Sequence, residues 1–132
     1  MLLSARFLND VSNVNSFSYA TSLEFNKGTT QTVYFQLIDR SLLLAINGFN
    51  PEGRRYVPPA GSTLSVYLVN VEDGKKILRP ASQAFVGLDG SIWSLPIFGT
   101  DPLDGTVTIG LTLTQPGGVV LTSTINAGMR IC

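Results

Sequence analysis

Hydrophobic and polar residues alternate along most of this chain with a period of two, which is typical of strands with one buried and one solvated face. The clearest example is the segment 106–114. Its apolar side consists of Val107, Ile109, Leu111 and Leu113. The segment 119–131 repeats the alternation after a short turn at 115–118. We therefore predict that these two segments form an antiparallel hairpin.

Three upstream segments show the same alternation and are predicted to be strands. Their inward residues would be Val33, Phe35 and Leu37, then Leu64, Val66 and Leu68, then Trp93, Leu95 and Ile97. A weaker strand pattern covers 16–25, and Pro80 predicts an edge or a kink. The fold class is therefore all-β: a single Ig-like antiparallel β-sandwich of about seven strands with an apolar N-terminal segment. The cysteine–tryptophan–cysteine pattern of true Ig domains is missing from the sequence.

Two segments fit this sandwich less well. Residues 1–16 are interpreted as an N-terminal arm or a first strand, and residues 17–132 as the sandwich domain, with a long loop over 47–61. The apolar residues of the first segment have no obvious place in the sandwich. We expect this segment to dock on another subunit or to add a strand to a partner sheet, unless it is the first strand of its own domain. Its candidate contact residues are Leu3, Phe7, Leu8 and Val11.

The 47–61 loop is the second candidate contact region. A loop of this length is usually functional or disordered. It contains residue types that are enriched at protein interfaces, namely Phe49, Arg54, Arg55 and Tyr56.

Composition excludes several classes of function. The 132 residues suffice for one compact domain, and only 14% of them are charged. Nine basic residues balance nine acidic ones, so nucleic acid and anionic membranes are not expected partners. There is no histidine, and the single cysteine is Cys132, which removes histidine-dependent catalysis and an internal disulfide. No signal peptide or membrane helix is predicted.

Few residues are candidates for chemistry. Asp101 and Asp104 flank a Pro-Leu pair, but an aspartate in a turn normally hydrogen-bonds its own backbone. The basic residues Lys75, Lys76 and Arg79 are interpreted as a solvated turn or strand edge. We therefore predict no catalytic, cofactor-binding or metal site, no cofactor, and no enzymatic activity.

The order of these segments resembles a known family. The segments 32–37, 62–68, 89–95 and 105–113, followed by a glycine turn and a final strand, are similar to the Ig-like domain of upper baseplate, fibre and decoration proteins of tailed phages. The resemblance covers about three-quarters of the chain. It implies a structural adaptor of the virion, assembled in the host cytoplasm, with no catalytic residues.

The leading hypothesis is accordingly a structural virion subunit: a decoration, neck, baseplate or fibre-attachment protein that acts through protein–protein contacts. Its expected partners are other virion proteins and further copies of itself. The alternative is a carbohydrate-binding β-sandwich module, which would need an exposed aromatic platform. Candidates for that platform are Tyr56, Tyr67 and Phe49.

Overall fold

The computed structural model describes residues 3–10, 18–20, 23–39, 44–45, 48–49, 54–84, 90–123 and 127–132. These residues form strands, turns and irregular chain without any helix, which confirms the all-β prediction. In this part of the chain there is accordingly no helix that is long and apolar enough to cross a membrane. The strands are β1 (Leu3–Asp10), β2 (Ser18–Ala20), β3 (Leu23–Phe25), β4 (Gln31–Asp39), β5 (Leu44–Ala45), β6 (Gly48–Phe49), β7 (Arg54–Arg55), β8 (Thr63–Asn70), β9 (Lys76–Gln83), β10 (Ile92–Ile97), β11 (Gly105–Thr114), β12 (Val120–Thr122) and β13 (Ala127–Ile131).

Nine strands follow one another in a single hydrogen-bonded path, in the order β2-β1-β4-β10-β9-β8-β11-β13-β3. Beside this path β12 pairs with β11 and β7 pairs with β4, while β5 and β6 form a separate pair. β3 and β13 are parallel, so the sheet is mixed. β1 also contacts β13, and the sheet therefore nearly closes into a barrel. The prediction of about seven antiparallel strands is corrected in both number and direction.

Strand β9 divides the path into two halves. Its residues 76–81 pair with β8, whereas Ser82 and Gln83 pair with β10. Pro80 lies just before this change of partner, where a residue without an N–H is tolerated. We call β2-β1-β4-β10 the first half of the sheet and β9-β8-β11-β13-β3 the second half.

The two halves face each other across one hydrophobic core. The cluster of buried side chains combines residues of β1, β4 and β10 with residues of β8, β11 and β13. Each buried aliphatic or aromatic side chain contributes about 1.5–3 kcal/mol. The alternation predicted these side chains correctly, and all of the following lie in the cluster: Val33, Phe35, Leu37, Leu64, Val66, Leu68, Trp93, Leu95, Ile97, Val107, Ile109, Leu111 and Leu113.

The N-terminal segment belongs to this core, which corrects the prediction of a docking surface. β1 pairs with β2 on one side and with β4 on the other. Leu3 and Phe7 lie in the core cluster, and Leu8 is also buried. These three side chains are therefore not available to another subunit. Of the two alternatives for residues 1–16, residues 3–10 form the first strand of the domain.

The C-terminal hairpin is confirmed, with one correction. β11 pairs first with β12 and then with β13, after a turn in which the Gln115 N–H donates to the Val119 carbonyl. Thr112 pairs with Thr122, and Ile109 pairs with Ala127. Between these two pairs the returning chain therefore contains two more residues than β11 does. Two extra residues preserve the side-chain parity, so Met129 remains buried. Val119 shares that parity but is exposed, because it lies in the turn.

The 47–61 loop contains more regular structure than predicted. It includes β6 and β7, and β7 pairs with Ile38 and Asp39 at the end of β4. The Tyr56 N–H then donates to the Leu37 carbonyl. This part of the loop therefore extends the hydrogen bonding of β4.

Candidate interaction face

The two halves of the sheet differ in what lies on their outer faces. Phe35 and Leu37 point into the core, so the alternating residues Gln36 and Ile38 point to the other face of β4. Both are nevertheless buried, as is the neighbouring Ile92 of β10. Gln36 Nε2 donates a hydrogen bond of 3.2 Å to Ser91 Oγ, which satisfies part of this buried polar group. The outer face of the first half is therefore buried at this end. At the other end Thr32 is exposed, and Tyr34 and Ser94 are half-buried.

The outer face of the second half is open. Tyr67 of β8 is 38% exposed and Leu78 of β9 is 58% exposed, and the two residues pair across the strands. We call this surface the open face. It consists of Thr63, Ser65, Tyr67, Val69, Leu78, Pro80, Thr108, Gly110, Thr112 and Thr114, none of which is charged. Among the described residues, Lys76 lies at one corner of the same side as the register partner of Val69, and Arg130 and Glu24 pair on the neighbouring strands β13 and β3.

A glycine, Gly110, lies beside the tyrosine at the centre of the open face. Gly110 is the register partner of Tyr67 and lies between the buried residues Ile109 and Leu111, so any side chain there would point outward. A Cβ atom added to Gly110 would have no atom of the described residues within 4 Å, apart from its chain neighbours. The backbone of Gly110 is nevertheless buried, so the surrounding residues already shield this position.

The strand edges of the second half are poor sites for strand addition. The free edge of β9 begins after Lys75 with Lys76 and contains Pro80, and lysine and proline both discourage pairing with another chain. At the opposite end β3 has only three residues. The open face, and not an edge, is therefore the candidate contact surface of this half.

A partly buried ion pair fills the gap where β9 leaves β10. Arg79 Nη1 and Nη2 each donate a hydrogen bond of 2.7 Å to the carboxylate of Asp101. Nη1 also donates to the Pro96 carbonyl at 3.0 Å, and the guanidinium lies 4.8 Å from the centre of the Phe98 ring. The hydrogen bonds from Arg79 hold the pKa of Asp101 below its ordinary value, although burial acts in the opposite direction. The Phe98 N–H strengthens this effect through a 2.7 Å bond to the same carboxylate.

The second candidate carboxylate has a different partner. Asp104 accepts a hydrogen bond of 3.2 Å from Lys27 Nζ, and both side chains are more than half exposed. The Asp104 N–H donates to Asn70 Oδ1, and Asn70 Nδ2 donates to the Pro102 carbonyl. Asp101 and Asp104 therefore fix the 98–104 loop through separate ion pairs, and the structure does not bring them together as a catalytic pair.

The 98–104 loop also packs closely on the 26–30 turn. A Cβ added to Gly99 would lie 2.3 Å from the Gly28 carbonyl oxygen, and the Gly99 N–H donates to Thr30 Oγ1. A shallow cleft of ≈ 290 Å³, which includes space open to solvent, lies between these loops. Its wall includes Asp101, whose carboxylate is already occupied by Arg79.

The structure places the remaining predicted contact residues in different environments. Arg55 is exposed, whereas Tyr56 is half-buried against the core and its hydroxyl accepts a hydrogen bond from Gln115 Nε2. Tyr56 is therefore a packing residue and not an open aromatic platform. Val11 lies outside the described residues, as do the side chains of Phe49 and Arg54.

Sequence reasoning missed Leu78 and the role of Arg79. Arg79 shares its parity with Ile77 and Ala81, both of which pack against the core, and this parity was the signal that its side chain points inward. Leu78 has the opposite parity, which places it on the outer face beside Tyr67.

Comparisons with known proteins do not assign a family. No protein-family model matches the chain, and no curated protein is significantly similar to it. Among solved structures, the endo-β-1,4-mannanase from Thermotoga petrophila is similar over 100% of this chain, with 15% sequence identity and a TM-score of 0.46. This chain covers 20% of that enzyme's chain. A likeness at this level carries no functional argument.

Proposed function

We propose that this chain is a structural subunit without catalytic activity that acts through protein–protein contacts, and that its open face is a contact surface. The open face carries the proposal because the paired side chains of Tyr67 and Leu78 are exposed there and are not charged. Soluble globular domains contain about 25% charged residues on average. This chain has 14% charged residues overall, which favours a surface that is covered in an assembly.

The proposed assembly is a tailed-phage particle, in which the chain would be a decoration, neck, baseplate or fibre-attachment protein. The Ig-like fold is part of this proposal. If β9 is counted with β10, with which its residues Ser82 and Gln83 pair, the order β1-β4-β10-β9 and β8-β11-β13 matches that of a constant-type Ig domain lettered along the chain. The additional strands β2 and β3 and the dual pairing of β9 then connect the two layers.

The absence of catalysis is likewise proposed from the residues. The sequence has no histidine. Asp101, which lines the cleft, and Asp104 are each held by a basic side chain. Neither is positioned as a free acid or base.

Light scattering of the purified chain, combined with negative-stain imaging, tests this proposal. We expect a mass above the 14.2 kDa of one chain, or ordered rings or fibres. The double variant Tyr67→Lys/Leu78→Lys should lose this association because it places two charges on the open face. The control variant Val57→Lys changes an exposed valine elsewhere and should associate normally. A wild-type chain that stays monomeric and forms no ordered assembly would contradict the proposal.

A second candidate function is binding of a neutral glycan. The observation that favours it is Tyr67, which is exposed and lies beside the hydroxyl side chains of Ser65 and Thr112. An aromatic ring can stack on the apolar side of a sugar while hydroxyls bind its edges. Gel electrophoresis through soluble neutral polysaccharides tests this function. Retardation of the wild type that disappears in Tyr67→Ala would support it, and equal mobility with and without polysaccharide would exclude it.

A further inference from the structure

We draw no further inference here: the strongest candidate, the surface patch at the turn between β11 and β12 where Val119 and Val120 are both exposed, carries nothing because no described residue shows what covers it.

Discussion

Arg79 binds Asp101 through two parallel hydrogen bonds, each 2.7 Å long, at the point where β9 has left β10. The two side chains are only 14% and 10% exposed. The guanidinium also reaches the Pro96 carbonyl, which β9 no longer faces. One ion pair thus replaces the strand pairing that is missing beyond Ser94 and holds the 98–104 loop against the sheet.

Replacing one member of this pair should destabilise the fold. We expect Asp101→Asn or Arg79→Met to lower the free energy of unfolding by about 2–4 kcal/mol, because the remaining group loses charged hydrogen bonds in a partly buried position. Urea denaturation measures this loss. Lys27→Met is the matched control, because its pair with Asp104 is exposed and should contribute less than about 1 kcal/mol. A loss of unfolding free energy in Lys27→Met as large as that in Asp101→Asn or Arg79→Met would refute a special role for the Arg79–Asp101 pair.

The same pair predicts how stability depends on acid. The fold holds the pKa of Asp101 below its ordinary value of 3.8, so the unfolded chain takes up more protons as the pH falls. The contribution of the pair is therefore complete above that value and is lost as the pH falls through the lower pKa of the folded chain. Urea midpoints measured between about pH 6 and pH 2.5 should fall more steeply for the wild type than for Asp101→Asn. Parallel curves for the two proteins would show that another group controls the acid response.

Gly99 and Gly110 should respond in opposite ways to an added methyl group. Gly99→Ala would place its Cβ 2.3 Å from a backbone oxygen of Gly28, and we expect a loss of about 2 kcal/mol or more. Gly110→Ala meets no atom of the described residues within 4 Å beyond its neighbours, and should be neutral or stabilise by up to about 1 kcal/mol. Thermal unfolding of the two variants measures the difference. A Gly99→Ala protein as stable as the wild type would mean that the two loops can separate at little cost.

The first strand should be essential for folding. Phe7 is 1% exposed in the core, so Phe7→Ala should cost about 3–5 kcal/mol. Val57→Ala, at a valine that is 60% exposed, should change the stability by less than about 0.5 kcal/mol. Deletion of residues 1–14 should therefore unfold the domain. A deletion variant with a native circular dichroism spectrum and a cooperative thermal transition would restore the alternative of a separable arm.

The alternation of apolar residues was sufficient to predict the inner faces of β4, β8, β10 and β11. Period-two patterning determines which side of a strand is buried whatever its neighbours are, so these core residues follow from the sequence alone. The same reasoning failed for the first segment. An apolar strand such as Leu3–Asp10 has the same pattern whether it docks on its own sheet or on a partner, and only its pairing with β4 distinguishes the two.

Other features depended on contacts between residues that are distant in the chain. The parity of Arg79 indicates an inward side chain, but its pairing with Asp101 requires β9 to leave β10 and the 98–104 loop to fold back. The β8–β11 register places Gly110 beside Tyr67, and a shift of one residue would place a core leucine or isoleucine there instead.

The sequence by itself determined an all-β chain, its buried strand faces and its final hairpin, because these depend on local periodicity and turn residues. Only the tertiary structure decided that the first segment is a core strand, that one outer face is buried at one end and that the other leaves Tyr67 and Leu78 exposed. Those properties depend on which strands become neighbours, and strand order is set by the burial of the whole core and not by any single segment.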